Sequence, residues 1–220
     1  MLQLILATSF FLGFHFGVAG TSLRPSIIGK IGATAYHTVF GILSLAGLFW
    51  LFYAYRNSDY IETWGQLAGL KPVAALLMLI AFLFVVVGLM SRNAISVAGV
   101  EPALGIQRIT RHPILCGGAL WALTHLIVNG DVASLILFGS LLALIVFGGR
   151  SVNIKRRDKL GAVWPSYAAC TSVIPFQAIW QGRNRLVWGE INPWSPVVAI
   201  LLYVLVMHFH MQWFGVSPLM

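Results

Sequence analysis

The stretch RITRHPILCGGALWALTHLIVN, residues 108–129, decides the class of fold. It opens with two arginines and a histidine, and after the histidine no charged residue follows to its end. Pro113 suits the first turn of a helix, and a residue before proline avoids helical backbone. We therefore predict a membrane helix near Ile114–Asn129 that begins beside a basic segment.

The composition extends this conclusion to the whole chain. Of its 220 residues 59% are hydrophobic and only 9% are charged, whereas about 25% are charged in soluble domains. The sequence predicts one all-α domain over residues 1–220, a polytopic transmembrane helical bundle. Six spans are expected, near Leu2–Ala19, Tyr36–Tyr55, Val73–Met90, Ile114–Asn129, Val132–Gly148 and Pro196–Trp213. The break at Asn129–Asp131 indicates either a tight helical hairpin or one kinked helix.

Basic residues are distributed unevenly among the loops. The first, third and fifth loops contain twelve of the fourteen: Arg24, Lys30, Arg92, Arg108, Arg111, Arg150, Lys155, Arg156, Arg157, Lys159, Arg183 and Arg185. The positive-inside rule predicts that these loops are cytoplasmic and that both termini lie outside a bacterial inner membrane. The fifth loop, 149–195, is expected to be an interfacial anchor on lipid headgroups or a lid over a site. Basic residues in loops between apolar spans do not indicate a nucleic-acid partner.

Two histidines inside predicted spans are candidate ligands, because a histidine in the bilayer is costly. His15 lies in the first span, and a hydrogen bond to a backbone carbonyl of another helix is the alternative to ligation. His125 shares a helical stripe with Gly117, Gly118 and Trp121. Small residues beside a ligand let a flat ring lie against the backbone. Alternatively, the two glycines are packing sites for a neighbouring helix.

The basic segment before Pro113 predicts an anion site. Arg108 and Arg111 lie near the positive end of the helix dipole, and His112 stands near its N-cap. An anion there would meet two guanidinium groups and free backbone N–H groups. Lipid phosphates would satisfy the same arginines without any specific ligand.

Several motifs resemble the NnrU family. They are Arg111-His112-Pro113, the pattern G-x-x-x-W-x-x-x-H over 117–125, the run Asn129-Gly130-Asp131 with Ser134, and Ala35–Gly41. That family includes bacterial proteins associated with denitrification genes. It is related to the plant and cyanobacterial 15-cis-zeta-carotene isomerases.

The resemblance implies a haem b protein. It implies His15 and His125 as iron ligands. The predicted positions in the spans make His208 the alternative partner of His125, because these two lie at a similar depth. The residues expected to contact the cofactor are Arg108, Arg111, His112, Gly117, Gly118 and Trp121, with the arginines neutralising the haem propionates. The implied chemistry is redox-linked, either cis–trans isomerisation of an apolar polyene or a role in nitric oxide metabolism.

The same basic block is also similar to membrane methyltransferases of the isoprenylcysteine carboxyl methyltransferase type. The matching residues are Arg108, Arg111, His112, Pro113 and Gly117. This likeness implies S-adenosylmethionine, whose carboxylate suits the arginines. A third alternative is a non-enzymatic assembly factor for a respiratory reductase. Haem absorbance, S-adenosylmethionine binding and co-purification of a partner distinguish the three.

Overall fold

The structure is a computed structural model, and it describes residues 1–91 and 103–219. Arg92, one of the basic residues assigned to the third loop, lies outside the described residues. Within the described ranges the regular structure is helical, with a single isolated bridge between Glu62 and Asp131 and no strand. The predicted all-α class is confirmed for this part of the chain.

Nine α-helices follow one another along the described chain. They are α1 (Leu2–Gly13), α2 (Leu23–Ile31), α3 (Ala33–Arg56), α4 (Lys71–Met90), α5 (Pro113–Asn129), α6 (Val132–Leu160), α7 (Trp164–Cys170), α8 (Gln177–Trp180) and α9 (Trp194–Phe214). A π-helical segment, Phe14–Ala19, continues α1. Short 3₁₀ turns cover Ala68–Leu70, Gly105–Arg108, Gly161–Val163 and Trp188–Glu190.

Five of the described helical segments are long and apolar enough to cross a membrane, judged by length and composition. They are Leu2–Ala19, Ala33–Arg56, Ala68–Met90, Val132–Cys170 and Trp194–Phe214. The remaining apolar helix, α5, has 17 residues, which is about the shortest length that spans hydrocarbon. The helices therefore indicate a membrane protein with five clear candidate spans, whereas six were predicted.

The structure corrects the predicted end of the fifth span. The expected span ended at Gly148, but α6 continues to Leu160. Lysine and arginine are good helix formers, and Arg157 and Lys159 in the last turn interact favourably with the negative end of the helix dipole. The segment 149–195 therefore starts as helix and includes α7 and α8.

The chain divides into two packed units. Unit 1 is Met1–Ala68 with His125–Gly148, and unit 2 is Gly69–Thr124 with Gly149–Met220. In unit 1, α1 packs along α3. In unit 2, α4 packs along α9, and the Tyr203 hydroxyl donates to the Ala75 carbonyl across that contact at 3.0 Å.

The break at Asn129–Asp131 separates two helices, α5 and α6, as the hairpin interpretation predicts and the single kinked helix does not. Gly130 has a φ of +60°, and its carbonyl accepts bonds from the backbone N–H groups of Thr63 and Gly65. A Cβ at Gly130 would collide with the Gly65 carbonyl oxygen, so only glycine fits this turn. Asp131 begins α6 as its N-cap, accepting from the Ser134 N–H at 2.9 Å.

Candidate functional site

His15 lies in unit 1 on the π-helical segment Phe14–Ala19, a kind of distortion that often occurs at functional sites. Its Nδ1–H donates to the Phe11 carbonyl at 2.8 Å, within its own helix and not across to another. Its ring packs 5.4 Å from the Phe40 ring of α3. With Nδ1 holding the proton, Nε2 keeps its lone pair, and no residue in the described ranges bonds to it. Ligating histidines are oriented in this way.

Two glycines flank His15 without packing against another helix. A Cβ built on Gly13 or on Gly17 meets no atom within 4 Å among the residues described. Glycines four residues apart in a membrane span usually allow close packing against another helix, but Gly13 and Gly17 do not serve that purpose in this conformation. Each is two residues away from His15, so both glycines lie on nearly the opposite face of the helix from the half-buried imidazole.

Tyr36 was not singled out as a site residue from the sequence, although it stands inside the Ala35–Gly41 motif. It is 5% exposed, stacks on the Phe40 ring at 5.6 Å, and has a hydroxyl with no hydrogen-bond partner in the part of the chain that the structure describes. An unpaired buried polar group costs about 1–3 kcal/mol. The Arg24 guanidinium lies over its ring, 5.9 Å from the centroid. The Tyr36 ring, with its unpaired hydroxyl and the Arg24 guanidinium over it, thus packs on Phe40, the ring that His15 also contacts.

A row of aromatic rings extends along α1 and α3 from this point. Phe40 stacks on Phe14 at 4.6 Å, Phe14 on Phe10 at 5.9 Å, and Phe10 lies 6.0 Å from Trp50. The row runs from Tyr36 to Trp50, which is about 21 Å along α3 at 1.5 Å per residue. Phe10 is 42% exposed and Trp50 is 39% exposed, so these rings are not simply filling a core.

His125 lies elsewhere in unit 1, against α6. Its ring stacks on Phe138 at 4.9 Å, and Phe138 meets the edge of Tyr55 at 5.8 Å. The Tyr55 hydroxyl is 2.9 Å from the Ser134 Oγ. His125 therefore stands next to the polar end of α6.

The structure does not bring His15 and His125 together. Along α6, His125 contacts Phe138, whereas Phe16, next to His15, contacts Phe147 at 6.4 Å. These positions are nine residues apart, or about 13 Å along the helix. Two residues that ligate one iron must both lie at bonding distance from it. In this conformation they cannot share an iron, and their pairing stays a prediction.

The alternative partner, His208, lies on α9 in unit 2. It is exposed, and its ring meets Phe209 edge to face at 4.7 Å. His210, two residues on, binds the Val216 carbonyl through Nδ1 at 2.7 Å. Across the described residues, no group of three or more His, Cys, Asp or Glu side chains is arranged to hold a metal ion.

Arg108 forms hydrogen bonds with other residues of unit 2. Its Nε and Nη2 donate to the two Glu190 oxygens at 2.7 Å each, and Nη1 donates to the Asn184 Oδ1 at 2.8 Å. The Glu190 carboxylate also accepts from the Gly105 N–H at 2.8 Å. The bond from Arg108 holds the pKa of Glu190 below its usual value.

Arg111 is likewise bonded to the chain. Its Nε donates to the Thr171 Oγ1 at 3.0 Å, and its Nη2 donates to the carbonyls of Ala168 and Thr171 at 3.2 and 3.1 Å. The guanidinium caps the C-terminal end of α7 and lies 5.1 Å from the Trp164 ring centroid. Both arginines thus donate hydrogen bonds to acceptors within the chain. Their binding of an anionic ligand stays a prediction.

His112 is buried in unit 2. Its Nε2–H donates to the Asn153 Oδ1 at 2.8 Å, and Arg156 donates to the neighbouring Arg111 carbonyl at 2.8 Å. Burial, together with the positive charges of Arg156 and Arg111, lowers the pKa of His112 to about 4. The imidazole is therefore neutral at neutral pH.

We expect His112 to make stability fall in weak acid. Unfolded histidine binds a proton below about pH 6.5, whereas folded His112 stays neutral down to pH about 4. Between these values the unfolded state binds more protons, so stability falls as the pH is lowered, by about 3 kcal/mol in total. Thermal unfolding in detergent at pH 7 and pH 4.5 should show a smaller loss for His112→Gln, which keeps a donor for Asn153. Equal losses in the two proteins would refute this role.

Gly117 serves helix packing, one of the two alternatives for this stripe. A Cβ there would lie 2.7 Å from the Ala81 carbonyl oxygen and 2.7 Å from a Val85 methyl, so α5 and α4 meet at this position. Gly118 and Trp121 are half-buried on the same helix.

Comparisons with known proteins agree with the motif analysis. A profile of the family described as "NnrU protein" matches residues 3–218. The chain is 30% identical to the "15-cis-zeta-carotene isomerase, chloroplastic" of Zea mays over 94% of its own length, and 32% identical to the Arabidopsis thaliana protein of the same name over 84%. It spans 58% and 52% of the lengths of these relatives. No solved structure matches the chain.

Proposed function

The chain belongs to the NnrU family, and we propose that it is a membrane-embedded cis–trans isomerase of a polyene of the zeta-carotene type. The observation that carries this proposal is the match to two proteins named 15-cis-zeta-carotene isomerase, one of which aligns with 94% of the chain. The aromatic row of unit 1 supports it, because an extended polyene has no hydrogen-bonding groups and needs a long apolar surface to bind to.

We assign haem b to unit 1, with His15 as a ligand. The residues there fit such a group in two respects. The His15 Nε2 has its lone pair available, and the Tyr36 hydroxyl is buried without an acceptor. When bound, haem supplies an iron whose oxidation state influences the electron density of a nearby double bond.

The chain's own contribution is orientation and exclusion of water. Phe40, Phe14 and Phe10 offer consecutive ring faces against which a conjugated chain lies flat. The bond from His15 to the Phe11 carbonyl fixes the imidazole orientation. A polyene that enters from the lipid would bind along this row of rings without a cost of desolvation.

For the membrane arrangement we propose that α5 is a sixth span and that the odd-numbered loops face the cytoplasm of a bacterial inner membrane. The uneven distribution of basic residues supports this orientation. With six spans both termini lie on the opposite side.

The proposal is tested in cells that accumulate zeta-carotene with a 15-cis central double bond and are kept in the dark, where light does not isomerise it. Cells expressing the chain should convert this isomer to the 15-trans form, measured by chromatography of the extracted pigments. Cells with empty vector should retain it. An unchanged isomer ratio, with the protein demonstrated in the membrane fraction, would contradict isomerase activity and leave nitric oxide metabolism, methyl transfer and assembly to be tested.

A further inference from the structure

We propose that Tyr36 and Arg24 form the carboxylate-binding end of the His15 site. This inference rests on the proposed function, since it concerns how unit 1 holds the haem assigned to it. It transfers the role of binding the propionates from Arg108 and Arg111 to a different pair of residues.

The hydroxyl of Tyr36 is buried and unpaired within the described ranges, although most buried hydroxyls find an acceptor. A phenylalanine would fill the same space against Phe40 without that loss. A ligand carboxylate is an acceptor that explains why a hydroxyl stands there, because it accepts a short, strong bond from a phenol.

The positive charge of Arg24 lies close to the Tyr36 side chain. Arg24 forms no ion pair with any residue that the structure describes, and its guanidinium lies 5.9 Å from the centroid of the Tyr36 ring. By contrast, Arg108 and Arg111 are bonded to Glu190 and to the end of α7. A carboxylate at the Tyr36 hydroxyl would therefore meet an available guanidinium.

His15 and Tyr36 contact the same ring, Phe40, at 5.4 and 5.6 Å between ring centroids. A porphyrin carries its carboxylates along one edge, away from the iron. One residue that binds the iron and another that binds a carboxylate should lie near each other without touching, as these two do.

The test measures how fast haem leaves the protein. Wild-type and Tyr36→Phe proteins in detergent are loaded with haem b or with haem b dimethyl ester, and transfer to excess apomyoglobin is followed by absorbance. Because a hydrogen bond to a charged group is lost, Tyr36→Phe should release haem about tenfold faster or more. With the ester, which has no carboxylates, the two proteins should release it at the same rate. Arg24→Gln should behave like Tyr36→Phe, and Arg56→Gln, at the other end of α3, should match wild type.

Equal rates for wild type and Tyr36→Phe with haem b, or an equally large difference with the ester, would overturn the assignment of Tyr36 and leave haem binding intact. If Arg24 instead binds a lipid headgroup, Arg24→Gln should leave the rate of haem release unchanged. A wild-type protein that retains no haem overturns both this inference and the haem assignment.

Discussion

Replacement of His15 by alanine is expected to remove haem from the purified protein and to abolish isomerisation in the dark. The imidazole supplies the coordinate bond that we assign to the iron, and alanine provides no donor in its place. Loss of a partner that merely orients a ligand weakens metal binding about 10–100-fold, so loss of the ligand itself should exceed about 100-fold. The measurement is the Soret absorbance per chain, together with the isomer ratio of the pigment.

His210 offers a matched control. Like His15, it binds a backbone carbonyl through Nδ1, but it lies near the end of α9 in unit 2. His210→Ala should retain both the haem absorbance and the activity. A His15→Ala protein that keeps the wild-type Soret band would refute the ligand assignment, because no substitute at that position can coordinate iron.

Replacement of Arg108 by alanine should cost about 2–3 kcal/mol of stability. Breaking a buried ion pair costs about 3–5 kcal/mol, and the partial exposure of Glu190 reduces that figure. The change removes both bonds to Glu190 and the bond to Asn184 in one step. A clear fall in the thermal unfolding midpoint in detergent is the expected result.

Arg157 provides the control for this variant. Its contact with Asp158 is 3.7 Å long, and the two side chains are 62% and 67% exposed. Such surface pairs contribute about 0–1 kcal/mol, so Arg157→Ala should leave the midpoint nearly unchanged. Equal midpoints for the two variants, with faster haem loss only in Arg108→Ala, would show that Arg108 binds a propionate after all.

Local chemistry allowed part of the fold to be predicted. Long apolar runs, Pro113 at the start of α5 and the Asn-Gly-Asp break identify helices and their ends without tertiary information. The end of α6 was missed because the basic residues after Gly148 were interpreted as a loop signal, although they are also good helix formers.

The site was harder to predict because its partners are distant along the chain. Arg108 pairs with Glu190, 82 residues later, and Arg111 caps a helix some 57 residues later. No spacing rule in the sequence predicts contacts between residues so far apart, so the sequence alone leaves both arginines available for a ligand. Tyr36 was missed for the same reason, since an unpaired hydroxyl is recognised only once its surroundings are known.

The most direct test of the central claim is the haem content of the wild-type protein. The chain is purified in mild detergent after expression with ample haem, and its reduced-minus-oxidised spectrum is recorded with a pyridine haemochrome assay. We predict haem b in an amount equimolar with the chain. A protein that is folded, present in the membrane and free of haem would contradict the account.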